Sequence, residues 1–253
     1  MIRTSKGSWL CSLICTLLLS VVLPAAAQPR ILRVASANDP QTMDPHAVAL
    51  LYHTRVIHQI YEGLVSRDEQ FRLQPALALS WTPVDAKTWR FKLRSGVKFH
   101  DGSEFGADDV IFSIERALHP SSQRAQQMLG VQGARKVDAL TVDVLLQTPD
   151  AVLPEKFWLV AMMSRAWSEK NQVTKPQDYN AKQETFAVRN AMGTGPFQLK
   201  RYDADVRTQL ATNPQWWGRD SHPGNVDEAQ FLVIQSDATR LAALSSGQLD
   251  LIL

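Results

Sequence analysis

Histidines, carboxylates and thiols are the side chains able to make or break bonds, and their spacing decides which of them could act together. His53 and His58 stand five residues apart. A metal-binding pair on one helical face needs a separation of three or four, so these two diverge. His100-Asp101 has the composition of an acid–base pair, but it sits in a turn with Gly102 and no third partner can be placed beside it. Asp108 and Asp109 are adjacent. Neighbours on a helix point about 100° apart, so they read as partners of a helix dipole and not as a carboxylate dyad. Gly193-Thr194-Gly195 is followed by Pro196, which removes an amide that a phosphate cradle would use. No Gly-x-Ser-x-Gly elbow occurs. Trp158, Trp216 and Trp217 offer stacking faces, and equally the bulk of a half-buried core. The spacing therefore assigns no catalytic residue, no metal site and no cofactor.

Both cysteines, Cys11 and Cys15, fall within residues 1–27. That stretch reads as a cleaved export signal: Arg3 and Lys6 at its start, an apolar run from Trp9 to Leu23, and Ala25-Ala26-Ala27 before Gln28. The run is about 15 residues, short of the ~20 that span a bilayer. The mature chain would then hold no cysteine, which excludes disulfide scaffolds, zinc-thiolate sites and cysteine nucleophiles. Removing Arg3 and Lys6 from the 27 basic residues leaves 25 against 25 acidic, so the mature chain is neutral. No basic block stands out, and nucleic acid is not an expected partner. The expected location is the periplasm.

The elements that must position any site follow from periodicity. Ile31–Ala37 predicts a first strand, and Asp39-Pro40 and Asp44-Pro45 punctuate the loop after it. Val48, Tyr52, Val56 and Ile60 recur at helical spacing, and Gly63 stands where a C-terminal glycine is expected. Trp89, Phe91 and Leu93 alternate with Arg90, Lys92 and Arg94, a strand with one wet face. Residues 81–84 should turn back against it through Asp85-Ala86-Lys87. Ala107–Leu118 predicts a helix with Val110, Ile114 and Leu118 on one face, stopped by Pro120. Val137–Leu146 reads as a hairpin, and residues 150–190 give no clear period. Strands return at 197–202, 206–211 and 229–234. Asp237 is the expected cap of a helix closed by Gly247, and a further strand starts at Leu249. Strand runs with helices between some of them give an α/β, mixed α+β fold.

The segment Trp89 to Arg116, with its Phe-His-Asp-Gly turn at 99–102 and Ala-Asp-Asp-Val helix start at 107–110, resembles the family-5 extracellular solute-binding proteins. Met43-Asp44-Pro45, Tyr61-Glu62-Gly63-Leu64, Leu77-Ala78-Leu79-Ser80-Trp81, Gly193-Thr194-Gly195-Pro196-Phe197, Asn213-Pro214-Gln215-Trp216-Trp217 and Leu244 to Asp250 match its landmarks in order.

The resemblance implies a periplasmic binding protein, type II-like, whose two lobes close on a solute. The first lobe carries an inserted subdomain. Its core would comprise 28–50 and 190–253, the insertion would be 51–189, and the second lobe would be missing. The implied role is the binding component of an ABC importer, not an enzyme. It would capture a peptide or similar small solute and deliver it to inner-membrane permease subunits, and the full-length protein would be a monomer. Family ligand contacts fall at Val48 and Ala49 in the first loop and at Gln127 and Met128 after the signature helix. Some peptide-binding relatives carry an acid in that first loop and an aromatic in the second segment, whereas this chain has Val48 and Met128 there. Two other readings stay open: a secreted hydrolase using His100, Asp101 or His53, and a non-transport periplasmic binding or chaperone role.

Overall fold

The computed structural model describes residues 28–253, so the export signal expected at 1–27 lies outside the described residues. Within that range β1 (Ile31–Ser36) forms where the sequence places it. It is flanked on both sides by parallel strands from the far end of the chain, β10 (Glu228–Val233) and β11 (Leu251–Ile252). The antiparallel strands β8 (Phe197–Asp203) and β9 (Arg207–Thr212) complete a five-stranded sheet in the order β11-β1-β10-β9-β8. Val34 sits opposite Phe231 on one side and Leu251 on the other, so both chain ends build one mixed sheet.

A helix, α1 (Leu51–Ile60), buries His53, Val56, Ile57 and Ile60. It starts three residues later than the apolar repeat suggested, because Val48 belongs to the loop and packs inward from there. Val56, Ile57 and Ile60 share a core with Met43, Tyr61, Tyr202, Leu210 and Ala229 of the five-stranded side. The same core takes Phe112, Ala161 and Met163 from the 51–189 stretch, so the apolar face of α1 lies between the five-stranded sheet and the rest of that unit.

A second, larger core gathers residues from Leu64 to Met162. Its frame is an antiparallel sheet of β4 (Ala78–Asp85), β5 (Thr88–Leu93), β6 (Val131–Asp138) and β7 (Thr141–Leu146), in the order β4-β5-β7-β6. Phe91 and Leu93 point into this core, each worth roughly 1.5–3 kcal/mol of burial. On the other face Arg90, Asp143 and Arg135 stand in register across β5, β7 and β6. Asp143 takes both guanidiniums, at 2.7 Å and 2.9 Å. The helix α2 (Ala107–Leu118) packs Val110, Ile114 and Ala117 into the same core. At its N-terminus Asp109 Oδ2 accepts the Gly106 N–H, 3.0 Å away.

Several elements differ from expectation. A short hairpin, β2 (Val65–Arg67) with β3 (Leu73–Pro75), follows Gly63. The 131–146 hairpin begins six residues before Val137. Residues 150–190 hold three short helices, α3 (Leu153–Lys156), α4 (Arg165–Lys170) and α5 (Phe186–Arg189). The helix α6 (Asp237–Ser245) is capped by Ser236, whose Oγ accepts the Thr239 N–H; Asp237 instead pairs with Arg240.

Gly63 does not end α1 in a left-handed turn, since the cap is Tyr61 in extended conformation. It is glycine because a Cβ there would meet the Phe157 carbonyl oxygen at 2.2 Å. Among the described residues no helix is long and apolar enough to cross a membrane.

Candidate functional site

The loop after β1 is fixed by a buried ion pair. Arg116, near the end of α2, donates to both carboxylate oxygens of Asp44, at 2.7 Å and 2.6 Å, and neither side chain is exposed. Its remaining donors reach the carbonyls of Val173 and Lys175, and the Gln177 N–H adds a third bond to Asp44. Every hydrogen-bonding direction of the pair is used, which is what a buried ion pair requires. His46 joins it: Nε2 lies 3.0 Å from the Ala161 carbonyl and Nδ1 lies 3.1 Å from Arg116 Nη1. The carbonyl can only accept and the guanidinium can only donate, so His46 is neutral with its proton on Nε2. Burial, then the charge of Arg116, pulls His46 down to about 3. Burial would raise Asp44, but Arg116 outweighs it and holds the carboxyl below its ordinary range. The Met43-Asp44-Pro45 landmark is therefore the staple that sets the loop's path.

From that staple the chain runs beside the segment after α2. Gln123 N–H and Ser122 Oγ both donate to the His46 carbonyl, and Gln123 Oε1 accepts the Ala49 N–H at 3.1 Å. Residues 46–49 and the 3-10 turn at Ala125–Met128 thus lie side by side. Of the four residues picked from sequence, Val48 and Met128 are wholly buried, Ala49 is exposed, and Gln127 is half-buried with its Oε1 3.5 Å from Arg124 Nη1. Met128 packs into the larger core, and Val48 is buried within its loop. The outward surface comes from Ala49, Leu50, Leu51, Gln126 and Leu129, with Leu51 66 % and Leu129 60 % exposed.

This surface follows the carboxyl end of β1. Ser36, Asn38, Tyr52, Arg55, Val233 and Leu253 line a narrow cleft there. In open sheets the crevice outside the carboxyl ends of parallel strands is where ligands bind.

The other chemistry-bearing residues are committed elsewhere. His100 Nε2 lies 3.1 Å from the Gly195 carbonyl, and Nδ1 accepts the Gly193 N–H at 3.4 Å. Asp101 accepts the backbone and hydroxyl of Ser103 within its turn. His53 Nε2 faces the Asp44 carbonyl. The hydrolase reading used His100, Asp101 or His53, and the three are held on separate partners. Among the described residues no three of His, Cys, Asp and Glu converge as for a metal ion.

Trp216 and Trp217 donate their indole N–H groups to Glu62, at 3.1 Å and 2.9 Å, and Thr194 Oγ1 adds a third donor at 2.8 Å. Arg94 lies 3.9 Å from the centre of the Trp217 ring. Burial raises the Glu62 carboxyl despite these three donors. The tryptophans thus latch the two cores together.

Two functional residues carry little signal in the sequence. Glu62 stands inside the Tyr61-Glu62-Gly63-Leu64 landmark, and nothing local marks it as buried. The signal for Arg124 is that it is a cation in a stretch, 117–137, that holds no acid.

A mixed five-stranded sheet with a four-stranded antiparallel sheet between its first strand and the rest in sequence is the arrangement of the periplasmic binding protein fold. The chain is similar in structure to the oligopeptide-binding protein OppA of Burkholderia pseudomallei, at TM-score 0.76 and 20 % identity, covering 90 % of this chain and 46 % of that one. It is also similar to the periplasmic protein DppA of Helicobacter pylori in complex with the peptide STSA, at TM-score 0.74 and 26 % identity, covering 87 % and 45 %. In sequence it is 30 % identical to di/tripeptide-binding protein 2 of Pseudomonas aeruginosa over 231 residues, covering 79 % of this chain and 41 % of the relative. It is 26 % identical to the periplasmic oligopeptide-binding protein OppA of Haemophilus influenzae, covering 86 % and 42 %.

The family model described as bacterial extracellular solute-binding proteins, family 5 Middle, matches residues 72–253. The chain belongs to this family, whose members are binding proteins and not enzymes. It spans less than half the length of these relatives.

Proposed function

We propose that this chain is the first-lobe half of a periplasmic solute-binding protein that captures a peptide or similar small solute and hands it to an inner-membrane ABC permease. The observation that carries this reading is the pairing of residues 46–49, in the loop that follows β1, with residues 122–128. A rigid staple of Asp44 and Arg116 supports an exposed, mostly apolar rim there. Such a rim with backbone groups at its edge suits an extended ligand, which gains affinity from main-chain pairing and tolerance from shallow pockets. Ala49 and Gln127 are the contact residues of the four expected. Val48 and Met128 act by positioning them.

Capture would be a hinge closure against a second lobe, driven only by the ligand's preference for the closed state. The inserted unit is best drawn around the second core, from Leu64 to Met162, with α1 assigned to the first. Export to the periplasm and a monomeric full-length form fit the same reading.

Calorimetric titration of the purified protein with di- to pentapeptides, followed by recovery of the peptide, tests it. One saturable site and intact peptide are expected. Peptide cleavage, or no binding of any peptide, would overturn it.

A further inference from the structure

Arg124 is as buried as Arg116, at 1 % exposure, but it is treated differently. Arg116 has a carboxylate on its fork and carbonyls on its remaining donors. Arg124 Nη2 meets only the hydroxyl of Thr54 at 3.1 Å, Nη1 reaches Gln127 Oε1 at 3.5 Å, and Nε has no partner. A guanidinium has five N–H donors and always carries its charge. Among the described residues no Asp or Glu pairs with Arg124. Burial alone pulls it down to about 10, with no carboxylate to offset the desolvation. Its charge reaches His53 and His58 and helps to keep both neutral. Burying an uncompensated cation is strongly unfavourable, and a fold that keeps one has a use for its field.

The place where Arg124 points is itself electropositive. Thr54 belongs to the first turn of α1, a helix of ten residues whose N-terminus has no side-chain cap and no acid. Its free amides and macrodipole favour a negative charge. The same turn begins at Leu51 on the exposed rim, and Gln127, the weakest of Arg124's contacts, is half-buried beside that rim. Swinging the Gln127 amide aside would present Nη1 to a group arriving there.

We propose that Arg124 and the uncapped first turn of α1 form an anion subsite, which takes a carboxylate of the bound solute. The subsite deepens the solute-binding reading and rests on it. It says that this half of the clamp receives the negative end of the ligand, in keeping with the absence of an acid at Val48 and Ala49.

The test compares acetyl-trialanine, which has a carboxylate and no amine, with its carboxamide, in calorimetric titrations at matched ionic strength. The gene's full product is used as wild type, Arg124→Gln and Arg124→Lys. A charge-assisted fork predicts roughly tenfold or more tighter binding of the acid than of the amide to wild type. Arg124→Gln should remove that preference, and Arg124→Lys should restore part of it. Equal affinity of acid and amide for wild type overturns the proposal, and that comparison holds even if a variant does not fold. Binding of both forms with no preference leaves the peptide-capture reading standing while the subsite falls. If neither peptide binds, capture of peptides fails. Succinate then decides the subsite: stabilisation of wild type but not of Arg124→Gln in thermal unfolding supports it, and equal effects sink it.

Discussion

Three buried residues make the chain sensitive to acid. His46 and His53 are each held near 3 by burial, with Arg116 and Arg124 adding to the effect. An unfolded histidine titrates near 6.5. The folded value is the lower one, so their contribution is complete above about pH 6.5 and is lost as pH falls toward 3. Two such groups give a slope of roughly 2–3 kcal/mol per pH unit below that point. Thermal unfolding between pH 7.5 and 4.5 should show a falling Tm that begins well above the range where carboxylates protonate. A flat profile down to pH 5 would contradict the neutral, buried state of these rings. Asp44 is held low and extends the loss to lower pH. Asp44→Asn leaves Arg116 buried without its counter-charge and should cost about 3–5 kcal/mol, measured by denaturant unfolding. This pairing was not legible in the sequence, because Asp44 and Arg116 are 72 positions apart. Burial rather than sequence position also explains why Val48 and Met128 cannot present their side chains to a ligand.

At the scale of elements, what could be read in advance was what repeats. Trp89 to Leu93 alternates, and Ala107–Leu118 keeps one apolar face, and both form where the pattern puts them. The β2–β3 hairpin has strands of three residues, and α3 and α5 have four residues each, too short for any period to emerge. Glycines show the same limit. Gly193 is needed because a Cβ there would stand 2.0 Å from the Ile60 carbonyl oxygen, a clash between the loop before β8 and the end of α1 that no local pattern reveals. Gly193→Ala should force these backbones apart and loosen the Glu62 latch beside them, lowering stability by about 1–3 kcal/mol or more. Tryptophan emission should shift to longer wavelength as Trp216 and Trp217 lose Glu62. Unchanged emission and stability would contradict the close approach. Gly224→Ala is the control, since nothing lies within 4 Å of its Cβ position and its φ is outside the left-handed region.

For the whole molecule, the closing of one sheet by both chain ends was expected from the resemblance, and the parallel pairing of β1 with β10 and β11 supplies it. Division of the chain into cores was less legible, since α1 follows the loop in sequence but packs with strands that come much later. Around β11 the apolar residues are open: α6 buries none of its residues, and Leu241, Leu251 and Leu253 are exposed. An exposed apolar strand edge invites association. These 253 residues, produced alone, should self-associate at micromolar concentration in sedimentation velocity, and a sharp-melting monomer would contradict that. The placement of the ligand face is tested most directly by hydrogen exchange of the purified protein with and without saturating tripeptide. Slowed exchange should concentrate in residues 46–54 and 122–129. Protection confined to other segments, or no change in these two, would contradict it.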